Sequence, residues 1–194
     1  MFYNIVKFLI KIIAIILLKI EIKGIQNIPK EGPCILCFNH ISTLDPPVAG
    51  VFMPRQLTFM AKEELFHVPI LGPAIKALGA FPVKRGAGDI AAIKNSLNIL
   101  NKGKALVIFP EGTRSKTGEV KQAKPGIALI ATKAQVPVIP IGISGKYKLF
   151  HKLLINIGTP IFLEEYYGKK LSIEELQKIS NSIMNEIKQL MEGY

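Results

Sequence analysis

The chain has 194 residues, enough for one domain with a proper hydrophobic core. Apolar residues make up 49% of it, and 25 lysines and arginines stand against 14 acidic residues, a formal net charge of +11. That balance favours contact with a membrane and with an anionic partner, whether phosphorylated substrate, acidic headgroup or nucleic acid. Two cysteines and no secretory cleavage pattern argue against a disulfide scaffold, and no internal repeat or low-complexity segment is present.

Residues 1–20 are almost all apolar, broken by Asn4, Lys7, Lys11 and Lys19. Lys7 and Lys11 lie four apart and share one side of a helix. The uninterrupted apolar run, 12–18, is much shorter than the ~20 residues a spanning helix needs. The stretch therefore reads as a helix lying in the membrane interface, lysines toward the headgroups. A tilted single span and an amphipathic core helix are its competitors. Residues 21–194 then make up the folded domain.

Residues 21–25 alternate polar and apolar, as an exposed-edge strand does. Cys34-Ile35-Leu36-Cys37-Phe38, after the turn formers Glu31-Gly32-Pro33, reads as a short buried strand. It delivers Asn39 and His40 to its C-terminal edge, where open α/β sheets keep their chemistry. Pro46 and Pro47 open a helix that Pro54 ends, with Asp45 at the N-cap. A second strand covers 57–61 and leads into Lys62; a short helix covers 70–78; a third strand, 79–85, ends in Lys84 and Arg85. Asp89 caps a helix that keeps Ile90, Ile93, Leu97 and Leu100 on one face, closed by Gly103. The apolar run 105–109 is a strand followed by the polar turn 110–115. A helix at 126–134 precedes a buried strand, 136–143, whose Pro137 and Pro140 suit an edge or irregular position. One more strand lies at 153–157. Ser172-Ile173-Glu174-Glu175 is a capping box opening a helix with Leu176, Ile179, Ile183, Ile187 and Leu190 on one stripe. Strands alternating with helices give an α/β fold, a single domain with a mixed central sheet flanked by helices.

His40 and Asp45 are bridged by a short turn, so their side chains can meet. A carboxylate that accepts from one imidazole nitrogen fixes the tautomer and leaves the other nitrogen free as a base. Ser42 and Thr43 lie inside the turn and suit bonds to its backbone better than a nucleophile's role. The plain alternative is a capping Asp beside an ordinary loop His. Lys62, Lys84, Arg85 and the 111–114 turn fall at ends of strands, a gathering of cations that suits a phosphate-bearing substrate with a hydroxyl to deprotonate. Gly112 would let backbone N–H groups approach the anion. Taken singly, Lys62 with Glu64 and Arg114 with Glu119 could equally be solvated surface pairs. Lys121 and Lys124 flank the turn and suit the surface. Cys34 and Cys37 fall on opposite pleat faces, which disfavours a redox or metal pair, and His67 and His151 lack ligand-like company.

Asn39-His40-x4-Asp45, Gly79-x-Phe81-x-Val83-Lys84-Arg85, Phe109-Pro110-Glu111-Gly112-Thr113-Arg114-Ser115 and Val136-Pro137-Val138-Ile139-Pro140 resemble, in order and rough spacing, the four sequence blocks of the glycerolipid acyltransferases. The likeness is to the bacterial 1-acyl-sn-glycerol-3-phosphate (lysophosphatidic acid) acyltransferases and covers residues 25–143. It implies His40 as catalytic base and Asp45 as the carboxylate orienting it. It implies the Glu111, Gly112, Thr113 and Arg114 block as the binder of the acceptor's phosphate, with Lys62 sharing it. Family members end the second block in Asp or Asn followed by Arg; here Lys84 precedes Arg85, so only Arg85 carries over. The apolar fourth block suits packing or an acyl channel.

The activity implied is transfer of an acyl chain from acyl-CoA or acyl-carrier protein to the free hydroxyl of lysophosphatidic acid, giving phosphatidic acid in phospholipid synthesis. No cofactor or metal is implied beyond that co-substrate. The expected location is the cytoplasmic face of the cell membrane, peripheral or monotopic, on a surface of anionic lipids. Glycerol-3-phosphate or another lysophospholipid could be the acceptor, and a non-catalytic lipid-binding membrane protein is a rival reading. A nucleic-acid binder is suggested by charge alone, without aromatic stacking platforms.

Overall fold

The structure, a computed structural model, describes residues 18–83, 89–115 and 120–192, together with 11, 12 and 14. Most of the predicted membrane helix, and Lys84, Arg85 and Glu119, lie outside the described residues.

Short runs with no polar side chain cannot leave a face in water, so they assemble as the interior strands of a sheet. Among the described residues seven strands form one mixed sheet: β1 Lys19–Lys23, β2 Cys34–Phe38, β3 Leu57–Lys62, β4 Ala80–Val83, β5 Ala105–Ile108, β6 Val138–Gly145 and β7 Lys152–Ile157. Their order is β1-β7-β6-β2-β5-β3-β4. Strands β6, β2, β5, β3 and β4 are mutually parallel. β7 runs antiparallel to β6, and β1 runs parallel to β7. The helices are α1 Asp45–Phe52, α2 Leu71–Ala77, α3 Asp89–Asn101, α4 Gly126–Ala134 and α5 Ile173–Glu192.

Period-two alternation within the strands splits the core in two. Ile35, Cys37, Leu106, Ile108 and Val138 face one side, packed with α3, α4 and α5. Cys34, Leu36, Phe38, Val107 and Ile139 face the other, packed with Val48 and Ala49 of α1. The two cysteines thus lie on opposite faces, both buried, and burial pushes the thiol pKa of each up. The capping box forms as predicted: Glu175 accepts from the Ser172 N–H at 2.7 Å, and the Ser172 hydroxyl accepts from the Glu175 N–H at 3.2 Å.

Two expectations are corrected. Asp45 is not the N-cap of α1; Leu44 holds that place and Asp45 is the first helical residue, with its carboxylate turned back into the preceding turn. The strand carrying Pro140 is central, between β7 and β2, so of the edge or irregular position expected only the edge is excluded. Pro137 precedes the strand, and its carbonyl accepts from the Ile35 N–H at 3.0 Å. Pro140 lies one residue outside the stretch of β6 that pairs with β7, which begins at Ile141, and its carbonyl accepts from the Gly158 N–H. The missing proline donor therefore falls where no ladder bond is due.

Five parallel strands end at one edge of the sheet. From β2 the chain moves outward to β3 and β4, returns to β5, and then crosses to β6 on the other side of β2. The crevice beyond the carboxyl ends of β2 and β5 lies where that direction changes.

Candidate active site

The residue after Asn39 at the end of β2 is His40, and its imidazole is held from two sides. Nδ1 lies 2.7 Å from Asp45 Oδ2. The ring stacks on Phe109, which follows β5, with centroids 4.2 Å apart and planes 29° from parallel. His40 retains 16% side-chain exposure while Asp45 has none, so the ring is reached by solvent and its partner is not. Asp45 Oδ2 also accepts from the backbone N–H groups of Ile41 and Ser42, each at 2.8 Å. Three partners on one oxygen fix the carboxylate in place. With Nδ1–H donating to Asp45, Nε2 is left as the basic nitrogen. The Ser42 hydroxyl accepts from the Leu44 N–H at 3.1 Å, the backbone role expected of it.

The 111–115 turn is laced to the same residue. The His40 N–H donates to Glu111 Oε1 at 2.8 Å, and the His40 carbonyl accepts from the Ser115 N–H at 2.8 Å. Glu111 is 5% exposed, and its second oxygen accepts from the Lys121 N–H at 3.0 Å. Both of its oxygens are thus spent on backbone donors. Glu111 is a brace between loops rather than a group presented to an anion.

Gly112 has φ 70°, the left-handed region that glycine enters without strain. A Cβ there would come within 2.8 Å of the Lys124 side chain, so that lysine lies over the turn. Lys121 Nζ donates to the Arg114 carbonyl at 3.2 Å and to the Thr113 hydroxyl at 3.4 Å. Thr113 and Arg114 are exposed. The bond between Ser115 and His40 places Arg114 one residue from contact with the dyad's backbone. Lys121 and Lys124, expected to flank the turn at the surface, add positive charge beside it.

Lys62 ends β3 at the same sheet edge, but two strand spacings, ~10 Å, from β2. Its ammonium pairs with Glu64 at 2.9 Å, both side chains exposed. It belongs to the outer rim of the crevice. β4 ends at Val83 beside Lys62, while Arg85 lies outside the described residues.

Two residues named in the sequence blocks have contacts that the sequence did not show. Asn39 is 1% exposed and double-bonded to Ile143 of β6, donating to its carbonyl at 2.8 Å and accepting its N–H at 2.7 Å. An asparagine ending an otherwise apolar strand is a signal that could have found it. Phe109, at the start of the turn block, gave no sign that its ring would meet an imidazole.

A family model described as acyltransferase matches residues 19–144. The chain belongs to the acyltransferase family. This acyltransferase chain is 30% identical to the 1-acyl-sn-glycerol-3-phosphate acyltransferase of Bacillus subtilis, over 88% of its own length and 87% of that protein's. It is 32% identical to a chloroplastic enzyme of the same name from Brassica napus, over 85% of this chain and 51% of the relative. The crystal structure of the 1-acyl-sn-glycerophosphate (LPA) acyltransferase PlsC from Thermotoga maritima superimposes with a TM-score of 0.76 at 27% identity, covering 97% of this chain and 79% of that one. The chain spans about half the length of the plant relatives it matches and 60% of a Streptococcus pneumoniae relative.

Proposed function

We propose that this chain transfers an acyl group from an acyl thioester, acyl-CoA or acyl-carrier protein, to the free hydroxyl of lysophosphatidic acid, giving phosphatidic acid. One observation carries the reading: the His40–Asp45 pair is bonded through its backbone, on both the N–H and the carbonyl side, to the turn bearing Arg114. A base is thereby held at a set place relative to an anion-binding turn, as a substrate with a phosphate and a nearby hydroxyl requires. The names of the family's relatives supply the acceptor.

In this reading the phosphate rests on Arg114, Gly112 and Thr113, with Lys121 and Lys124 adding charge and Lys62 and Arg85 completing the rim. His40 Nε2 takes the acceptor's hydroxyl proton as the oxygen attacks the thioester carbonyl. The C–O bond forms and, after the tetrahedral stage, the C–S bond breaks; the proton passes from the imidazolium to the departing thiolate. Asp45 stabilises the imidazolium between those two steps. No acyl-enzyme forms, because the acceptor itself supplies the nucleophile.

The reading includes the cytoplasmic face of the membrane, with residues 1–20 as an interfacial anchor. β1 begins beside the start of β7, at the same edge of the sheet as the site, with β7 and β6 between it and β2. Lys11 Nζ lies 5.9 Å from the Phe52 ring centroid of α1, and Ala14 is buried. Exposed Leu65, Val68, Ile70 and Leu71 after β3, and Leu149 and Phe150 after β6, add apolar surface on that side. Among the described residues no helix is long and apolar enough to cross a membrane.

The test is thiol release from acyl-CoA with lysophosphatidic acid in lipid vesicles. His40→Ala, folded and still vesicle-bound, should lose the reaction by about 10²–10⁴-fold. Retained turnover in that variant ends the mechanism.

A further inference from the structure

Asp45 has a second oxygen that the dyad does not use. All three donors converge on Oδ2, while Oδ1 is buried and makes no hydrogen bond among the described residues. The Tyr147 hydroxyl is in the same condition, buried and unpaired. Its ring packs against the core cluster that includes Phe38, Val48 and Ala49, the residues that frame the His40 turn on this face of the sheet. Four residues before Tyr147, Ile143 exchanges two hydrogen bonds with the Asn39 side chain, which ties β6 to the end of β2.

A buried anionic oxygen without a donor, and a buried hydroxyl without an acceptor, each carry a full desolvation penalty. One O–H···O bond between them removes both, and the hydroxyl hydrogen is free to rotate toward it. We propose that Tyr147 is a positioning residue of the dyad, donating its phenolic O–H to Asp45 Oδ1 and so holding the carboxylate with Oδ2 on His40 Nδ1. Burial, with the Asp45 charge beside it, pushes the phenol's pKa above its ordinary value. The hydroxyl therefore keeps its proton and remains a donor. No sequence block of the resemblance contains this residue, and the inference rests on the His40–Asp45 reading given above.

Tyr147→Phe keeps the ring and removes only the hydroxyl. The expected result is a kcat about tenfold lower, with the KM of acceptor and acyl donor within about twofold of the unaltered enzyme. In an Asp45→Asn background the same change should alter the residual rate by less than about twofold, because the hydroxyl acts through the carboxylate. An unchanged kcat, a loss carried wholly by KM, or the full tenfold loss repeated in the Asp45→Asn background would each overturn the proposal. His40→Ala run alongside separates the two layers. If that variant stays active, the dyad reading fails; if it is inactive while Tyr147→Phe is normal, only the role of Tyr147 fails. Should Tyr147→Phe not fold, the unaltered protein with isotope-labelled tyrosine gives a direct reading by NMR. A slowly exchanging Tyr147 hydroxyl proton is expected, and one in fast exchange with water overturns the assignment.

Discussion

Glu111→Gln tests the brace between the two loops of the site. The substitution preserves volume at a position 5% exposed, where one carboxylate oxygen accepts from the His40 N–H and the other from the Lys121 N–H. Glutamine has one acceptor oxygen and one NH2 group. Whichever way it turns, one backbone N–H loses its partner and meets a donor instead. A hydrogen bond to a charged group contributes about 1.5–3 kcal/mol, and an orphaned buried donor costs about 1–3 kcal/mol. Water can reach the Lys121 end, which lies beside exposed residues, so the expected loss sits near 2–3 kcal/mol. Against a total of 5–15 kcal/mol that is a large share. For a domain of this size it lowers the melting temperature by about 4–12 °C. Thermal unfolding followed by circular dichroism in a fixed detergent measures it. The acceptor's kcat/KM should fall too, because the turn bearing Arg114 loses one of its two ties to His40. A midpoint within about 1 °C of the unaltered chain would refute the brace and leave the Ser115–His40 bond as what holds the turn.

Arg114→Ala should raise the acceptor's KM about tenfold or more while leaving the acyl donor's nearly unchanged; equal changes in both constants would move Arg114 away from the phosphate. Gly142→Ala puts a Cβ 2.9 Å from Leu190 Cβ and 3.0 Å from the Leu190 carbonyl carbon, where α5 crosses β6. Backbone on both sides leaves little room to yield, and a loss of about 1–3 kcal/mol is expected in denaturant titration; an unchanged midpoint would mean that α5 shifts freely. Glu175 is held below its ordinary carboxyl pKa of 4.5 by hydrogen bonds from Ser172. Its contribution is fully present above pH 4.5 and lost as pH falls through the lower folded value. The stability difference between the unaltered chain and Glu175→Gln should therefore shrink on acidification below pH 4.5, measured by denaturant titration at stepped pH; a difference that is flat with pH counts against the capping box.

Elements with strong local reasons were legible from the chain alone. The strands β2 and β5 and the helix α4 lie where their apolar runs and flanking turn residues placed them, and α5 begins at its capping box. Residue types also brought His40 together with Asp45, because only a short turn separates them. Legibility ended where the path of the backbone through a turn, or a partner far along the chain, decides the contacts. The carboxylate of Asp45 left the N-cap role because two backbone N–H groups of the turn and an imidazole offered three donors at once. Pro140 entered a central strand because the neighbouring β7 ends one residue earlier. Glu111, matched by resemblance to phosphate binding, spends both oxygens on N–H groups that no local pattern could have supplied.

By itself, the order of apolar runs, turn formers and basic strand ends determined an alternating α/β chain with its chemistry at one sheet edge, and the four blocks determined its family. These are local properties, set by side-chain chemistry within a few neighbours of each residue. The tertiary structure alone decided that the Ser115 N–H would meet the His40 carbonyl and that Asn39 would clamp β6. It alone packed Tyr147, far along the chain, against the apolar core that also holds Val48 and Ala49 of α1. Such contacts join strands whose adjacency depends on how the whole sheet is ordered. That order follows from burying two apolar faces at once, a requirement that no single segment carries.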